Sequence, residues 1–228
     1  MKCVVLAAGK GTRMLPLTKD KPKHMIPVNG KPFVEYIVES LNKAGIDEIA
    51  LIVNYKKEVL EDYLRQAHPD VAIIDQEEPK GTGHAILAAE KFVNGESFVV
   101  LMGDNLYSPE DIRTVARFQQ SVVAGLRVEN PSQYGVLVTQ NGSLVELLEK
   151  PKVPPTNLIN TGLYKFSPYV FDVLRTLKPS VRGEYEVTDA INALARAGDV
   201  AVYELKDYWL DFGKPEDVKK VGEFLRAQ

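Results

Sequence analysis

The chain has 228 residues, 45% of them hydrophobic and 26% charged, enough for one large core and short for two full domains. Its 28 Lys plus Arg against 31 Asp plus Glu leave a formal charge of −3, which argues against a general binder of nucleic acid or anionic membrane. A single cysteine, Cys3, excludes a disulfide within the chain and a Cys-rich zinc site, and its apolar surroundings predict a buried, inert thiol.

The opening stretch, Met1–Met14, has too short an apolar part to span a membrane and lacks the usual cleavage pattern, so a cytoplasmic address is expected. Strand-like and helix-like stretches then alternate. Lys2–Leu6 reads as an apolar strand that runs into a Gly-rich loop over Ala7–Thr18. Val34, Ile37, Val38 and Leu41 share one face of a helix over Phe33–Ala44, which Gly45 stops. Glu48–Val53 is the next strand, Lys56–Gln66 the next helix and Val71–Asp75 a third strand. The loop Gln76–Gly81 leads to a helix near Gly83–Phe92, and a fourth strand, Ser97–Met102, runs straight into Gly103-Asp104. Repeated strand-then-helix units predict an α/β fold with a mostly parallel sheet covered by helices on both faces.

The second half is less regular. Pro109–Phe118 looks helical and Ser121–Val128 extended. Gly135–Thr139 and Leu144–Leu148 flank Asn141-Gly142, a strong signal for a two-residue hairpin turn. Thr161–Phe166 and Val200–Glu204 read as strands, Tyr208–Asp211 as a short extended piece, and Pro168–Leu177, Val187–Arg196 and Pro215–Leu225 as helices. No linker-like stretch separates independent units, so residues 1–228 are expected to form one domain, with a sheet core and a smaller, less regular lobe.

Ligands of open parallel sheets gather at the carboxyl ends of the strands. That rule puts the Gly9 loop, Gln76–Gly81 and Asp104 on one rim. In Ala8-Gly9-Lys10-Gly11-Thr12-Arg13 the glycines let backbone N–H groups approach phosphate oxygens, with a hydroxyl from Thr12 and a permanent cation from Arg13. The same loop also suits a tight surface turn. It is neither a P-loop nor a dinucleotide fingerprint, because Gly11 is followed by Thr12-Arg13 and position 14 is Met. Lys21 and Lys23 add two further cations shortly after Arg13. Asp104 and Asp211 each end an apolar segment, where a carboxylate can hold Mg²⁺ together with water and phosphate oxygens, or simply cap a turn. His24, His68 and His84 do not have metal-ligand spacing, and no serine sits in a nucleophile elbow. These parts suit phosphoryl or nucleotidyl transfer, which needs positioning and charge stabilisation more than a covalent nucleophile.

Leu6-Ala7-Ala8-Gly9-Lys10-Gly11-Thr12-Arg13, followed by Pro16, Thr18 and Lys21-Pro22-Lys23, strongly resembles the sugar-phosphate nucleotidyltransferases, or nucleotide-sugar pyrophosphorylases. The likeness continues in order through Gln76, Gly81-Thr82-Gly83, Gly103-Asp104, Tyr134-Gly135, Glu149-Lys150-Pro151, Thr161-Gly162-Leu163-Tyr164 and Trp209-Leu210-Asp211-Phe212-Gly213. The resemblance implies a Rossmann-like nucleotide-diphospho-sugar transferase fold with a sugar-binding lobe. It also implies a Mg²⁺-dependent reaction in which a sugar 1-phosphate attacks the α-phosphorus of a nucleoside triphosphate and pyrophosphate leaves. By the same resemblance Arg13 and Lys23 are the catalytic cations and Asp104 and Asp211 the metal ligands. Leu6, Ala8, Gly9, Gly11, Thr12, Gln76, Gly81 and Thr82 fall on the nucleotide side. Tyr134, Gly135, Glu149, Lys150, Gly162 and Arg182 fall on the sugar-phosphate side.

Within the family, Pro179–Glu184 followed by Glu186-Val187-Thr188-Asp189 looks like the glucose-1-phosphate thymidylyltransferases, which implies dTTP or UTP and glucose 1-phosphate. Gly81-Thr82-Gly83-His84-Ala85 looks instead like the N-acetylglucosamine-1-phosphate uridylyltransferases, and His24 departs from the glutamine usual in the first group. A non-catalytic nucleotide-sugar sensor and a glycosyltransferase of related topology are the competing classes. Ending soon after the Pro215–Leu225 helix, the sequence is expected to lack the left-handed β-helix of the bifunctional relatives. A homo-oligomer stays open.

Overall fold

The computed structural model describes residues 1–228. Its strands, in chain order, are β1 (Lys2–Leu6), β2 (Pro27–Val28), β3 (Lys31–Pro32), β4 (Glu48–Val53), β5 (Ala72–Asp75), β6 (Phe98–Met102), β7 (Asn105–Tyr107), β8 (Ser121–Arg127), β9 (Gly135–Gln140), β10 (Ser143–Glu149), β11 (Leu158–Phe166), β12 (Val200–Glu204) and β13 (Trp209–Asp211). The helices are α1 (Phe33–Lys43), α2 (Lys57–Ala67), α3 (Thr82–Ala88), α4 (Glu90–Val93), α5 (Pro109–Ala116), α6 (Tyr169–Thr176), α7 (Val187–Arg196) and α8 (Pro215–Arg226). None is long and apolar enough to cross a membrane.

One nine-stranded sheet, ordered β5-β4-β1-β6-β11-β8-β12-β10-β9, runs through both halves of the chain. The first half supplies the parallel set β5-β4-β1-β6, as the strand-helix alternation requires. β11 enters antiparallel between β6 and β8, and β10 is antiparallel to β12 and β9, so the other seven strands all point one way. The less regular half therefore extends the same sheet. Alternate residues of β1 serve opposite faces. Cys3 and Val5 join the core under α1, α2 and α5, while Val4 and Leu6 join the core under α3, α6 and α7. Cys3 is fully buried, and that burial pushes its thiol pKa up, as expected for an inert side chain.

Several boundaries differ from the sequence expectation for local reasons. The helix expected near Gly83–Phe92 is broken at Ala89 into α3 and α4. The strand expected over Thr161–Phe166 begins at Leu158, and its pairing with β8 is interrupted between Asn160 and Tyr164, where Gly162 takes φ +83°. The Asn141-Gly142 turn joins β9 to β10 with both residues at positive φ. The same dipeptide at Asn29-Gly30 turns β2 into β3.

Outside the large sheet, β7 pairs antiparallel with β13, placing Trp209 opposite Tyr107 and Asp211 opposite Asn105. Phe212, fully buried just past β13, stacks on Phe33 at the start of α1 with ring centroids 3.9 Å apart. This small ladder brings residues more than a hundred positions apart in sequence to the carboxyl end of β6.

Candidate active site

The carboxyl ends of β1, β5 and β6 open into a cavity of about 490 Å³. Leu6, Ala8, Gly9, Gly11, Thr12, Gln76, Gly81, Thr82, Lys23 and Asp104 all line it. Gly11 takes φ +61° with its carbonyl accepting the Thr18 hydroxyl at 2.9 Å, which folds the loop back on itself before the 3-10 turn Thr12–Met14. Gln76 is buried, and its Nε2 donates to the Gly81 carbonyl at 3.0 Å, with His84 Nδ1 at 3.4 Å. Gly81 has φ +105°, and a Cβ there would stand 2.6 Å from the Tyr185 carbonyl oxygen, so only glycine fits. Three hydrogen bonds fasten this loop to the segment before α7: Gly83 N–H to Tyr185 O, Tyr185 N–H to Lys80 O, and Val187 N–H to Thr82 Oγ1. The Thr82 hydroxyl thus caps α7 while its residue forms part of the cavity wall.

At one end of the cavity, Lys23 Nζ meets Asp104 Oδ2 at 2.6 Å, with side-chain exposures of 11% and 17%. Burial alone would raise the Asp104 carboxyl, but the Lys23 charge and hydrogen bond outweigh it and hold the pKa below the usual range. His24, fully buried beside this pair, is driven down to about 3 by burial and then by Lys23, so its imidazole is neutral.

Asp211 reaches the same place through the β7–β13 ladder, where the Phe212 N–H donates to the Asp104 carbonyl at 2.8 Å. Its carboxyl is pushed up, first by burial and then by the negative charge of Asp104. Arg13 lies at this end: a Cβ on Gly213 would be 3.3 Å from its Nη2 and 3.2 Å from Asp211 Oδ1. Arg13 and Asp211 do not line the cavity itself; they stand beside its Asp104 corner. The two mutually repelling carboxylates fit a divalent cation such as Mg²⁺, which commonly takes one or two carboxylates and completes its shell with water and phosphate oxygens. No cluster of three or more His, Cys, Asp or Glu side chains suited to an all-protein metal cage occurs in the chain.

Beyond Met102, which lines the cavity and lies against Gly162, come the residues read as the sugar side. Gly135 is directly opposite Glu149 in the β9–β10 pair, and a Cβ on Gly135 would come 3.6 Å from Glu149 Oε2 and 3.5 Å from Asn160 Cβ. Tyr134 packs edge-on against Trp209 with centroids 6.0 Å apart, which places it toward Asp211. Its phenol pKa is raised by burial and then by that carboxylate. Lys150 takes φ +43° and stands 3.8 Å from Glu149. Arg182, on the exposed turn before α7, pairs with Glu186 at 2.8 Å; the charge of Glu186 raises its pKa, with a smaller contribution from Glu149.

Five further residues line the cavity: Lys10, Pro79, Ala85, Met102 and Glu184. Met102 was within reach of the strand-end rule, being the last residue of β6. Glu184 ends the Pro179–Glu184 stretch already noted, but its place in the cavity wall comes from the pairing of Tyr185 with Lys80 and Gly83. Asn160 was also not singled out, although it accepts the Gly162 N–H at 3.1 Å and donates to the Tyr164 hydroxyl at 2.8 Å.

A glycine loop, a lysine-carboxylate pair and a second carboxylate thus stand together on one rim of a mixed α/β sheet. The profile of the nucleotidyl transferase family matches residues 2–228. The chain belongs to that family. It is 41% identical over 219 residues to the bifunctional protein GlmU of Methanococcus aeolicus, a match covering 96% of this chain and 53% of the relative. The chain thus spans about half the length of several curated relatives it matches. It is 39% identical over 238 residues to the UTP–glucose-1-phosphate uridylyltransferase AglF of Haloferax volcanii, covering 100% of this chain and 98% of that one. A crystal structure of UDP-glucose pyrophosphorylase complexed with UDP-glucose superposes with a TM-score of 0.87 at 30% identity, over 100% of this chain and 99% of the other.

Proposed function

We propose that this chain joins a pyrimidine nucleoside triphosphate to a sugar 1-phosphate, giving a nucleoside diphosphate sugar and pyrophosphate. The observation that carries the reading is the Lys23–Asp104 pair at the end of a glycine-lined cavity, with Asp211 and Arg13 beside it. The triphosphate lies along Gly9–Thr12, where backbone N–H groups and Arg13 meet its charge. Lys23 is placed to neutralise the α-phosphate as the sugar phosphate oxygen attacks, and Arg13 to stabilise the departing pyrophosphate. Asp104 and Asp211 would hold Mg²⁺, which would supply further charge neutralisation there.

Gln76 commits its Nε2 to Gly81 and so offers its oxygen to the base. An acceptor there suits the N3–H of uracil or thymine and not the bare N3 of cytosine. Gly135, Glu149, Lys150, Gly162, Tyr134 and Arg182 receive the sugar phosphate. The full-length similarity to AglF, together with the structural likeness to UDP-glucose pyrophosphorylase, favours UTP or dTTP with glucose 1-phosphate. Identity to GlmU proteins and the stretch Gly81–Ala85 favour N-acetylglucosamine 1-phosphate as the second reading. We place the reaction in the cytoplasm and assign it to residues 1–228 as one catalytic domain, supported by the single sheet that runs through both halves.

The test is a matrix of UTP, dTTP, CTP, ATP and GTP against glucose, N-acetylglucosamine, galactose and mannose 1-phosphates, read by pyrophosphate release with and without EDTA. Turnover with UTP or dTTP that EDTA abolishes is expected. No turnover with any pair, or release of nucleoside diphosphate in place of pyrophosphate, would overturn the proposal.

A further inference from the structure

Asp111 lies in the first turn of α5, outside the cavity, and is 1% exposed. Its carboxylate has four hydrogen-bond donors arranged two to each oxygen. Oδ1 accepts from the Tyr203 hydroxyl at 2.7 Å and the Lys206 N–H at 3.0 Å. Oδ2 accepts from the Ser108 hydroxyl at 3.0 Å and the Asp207 N–H at 3.1 Å. The Ser108 oxygen in turn accepts the Asp111 N–H at 3.1 Å. A capping serine needs no such partner. The turn at Lys206-Asp207 is otherwise held by the Leu205 N–H to Gly125 O bond at 2.8 Å before it and the Ser108 N–H to Tyr208 O bond at 3.1 Å after it.

Three of these donors, all but the Tyr203 hydroxyl of β12, sit on the two arms that carry the paired aspartates. Ser108 directly follows β7, which begins one residue after Asp104, and Lys206-Asp207 precede β13, which ends at Asp211. Because β7 and β13 are antiparallel and only three residues long, Asp111 pins their far end while Asp104 and Asp211 occupy the near end. A ladder this short has little stability of its own, so the distance between its end residues depends on what closes it.

We propose that Asp111 is a positioning residue that sets the separation of Asp104 and Asp211, and thereby the affinity of the metal site. This rests on the reading of those two aspartates as metal ligands. The carboxylate is required because asparagine offers one acceptor oxygen to four donors and turns its NH₂ toward two of them. Asp111 bonds neither aspartate itself and acts on them through the ladder, so its loss is set at the low end of the effect of a directly bonded outer-shell partner, whose loss commonly weakens metal binding tenfold or more, to order of magnitude.

The experiment is an EPR titration of free Mn²⁺ against the full chain, well below the melting temperature, in the wild type and in Asp211→Ala, Asp111→Asn, Tyr203→Phe and Ser108→Ala. Wild-type binding that Asp211→Ala abolishes tests the metal reading itself. Asp111→Asn is then expected to weaken Mn²⁺ binding by about tenfold. Tyr203→Phe removes a donor that belongs to neither arm, so affinity should stay within about twofold even where the melting temperature drops. Ser108→Ala frees the β7 arm and should weaken binding by about threefold, which keeps the inference testable where Asp111→Asn does not fold. Folded Asp111→Asn or Ser108→Ala with wild-type Mn²⁺ affinity would overturn the inference while leaving the metal reading intact. A wild type that binds no Mn²⁺ would overturn both.

Discussion

On the nucleotide wall the polar groups are buried and held in place. Lys23 and Asp104 are 11% and 17% exposed and bonded to each other, and Gln76 is tied to the backbone of Gly81, itself wedged under Tyr185. On the sugar wall Glu149 and Lys150 are 44% and 57% exposed, and the Arg182 side chain is 55% exposed. Parallel strand ends fix the first wall from beneath. A hairpin edge and a surface turn carry the second. Charge held rigidly in a desolvated corner stabilises a developing phosphate charge without reorganisation, whereas exposed, mobile groups screen each other and contribute little apiece. Substitutions on the first wall should therefore cost far more than those on the second.

Lys23→Ala is the strongest test of that contrast, with an expected loss of roughly a hundredfold or more in turnover. It also has a signature in stability, measured by urea denaturation in metal-free buffer. With Lys23 present, the depressed carboxyl of Asp104 stabilises the fold above its unfolded pKa, and this is lost as pH falls through the lower folded value. Without Lys23, burial dominates and raises that carboxyl, so its ionisation costs stability at neutral pH, a cost relieved on acidification. The gap between wild type and variant should be widest near pH 7, at about 3 kcal/mol, should narrow on acidification as the variant's raised carboxyl protonates, and should close only as pH falls through the depressed wild-type value. A gap independent of pH would show that the pair is not what holds the corner.

Two glycines sharpen the comparison at the level of backbone. Alanine at Gly81 meets backbone oxygen at 2.6 Å with φ at +105°, and neither Tyr185 nor the loop can yield without breaking the three bonds to the segment before α7. A loss of about 3 kcal/mol is expected, with a raised KM for the nucleoside triphosphate. Alanine at Gly135 meets first the Cδ2 of Leu147 at 3.0 Å, the end of a flexible side chain, and should cost only about 1 kcal/mol. Thermal melts and steady-state kinetics of the two variants decide it; equal losses would erase the distinction between a fixed and an adaptable wall.

The same division governed what could be read without coordinates. β1 and β4 fall where their uninterrupted apolar runs place them, because buried parallel strands leave a pattern that needs no partner to be seen. The rim of Gly9, Gln76 and Asp104 followed from strand direction alone. β7 was hidden because Gly103-Asp104 form a turn and Asn105 also signals one, yet Asn105 opens a strand of three residues that exists only because β13 pairs with it. The cavity position of Glu184 and the role of Asn160 were hidden for a related reason. One is delivered by a long-range backbone pairing, the other by an irregularity in β11 that no periodicity encodes. Nothing in the sequence singled out Asp111, and only the arrival of Tyr203, Lys206 and Asp207 adds to Ser108 to give its carboxylate four donors.

The smallest effects should come from the sugar wall, and there Glu149 and Arg182 separate. Glu149 stands opposite Gly135, where a sugar hydroxyl pair can lie against its carboxylate, and its only charged partner is Lys150 at 3.8 Å. Glu149→Gln keeps the shape and one acceptor, so the KM for sugar 1-phosphate should rise by about tenfold, with the KM for nucleoside triphosphate unchanged. Arg182, itself half exposed, already spends its guanidinium on the buried carboxylate of Glu186. To reach a phosphate it must leave that partner, so the net gain is only the difference between two ion pairs. Arg182→Ala should raise the sugar-phosphate KM by only about threefold, an effect that fades in 0.5 M salt. A loss of a hundredfold at Arg182 would mean that the turn closes over the substrate and desolvates the cation, and the sugar wall would then be as preorganised as the nucleotide wall.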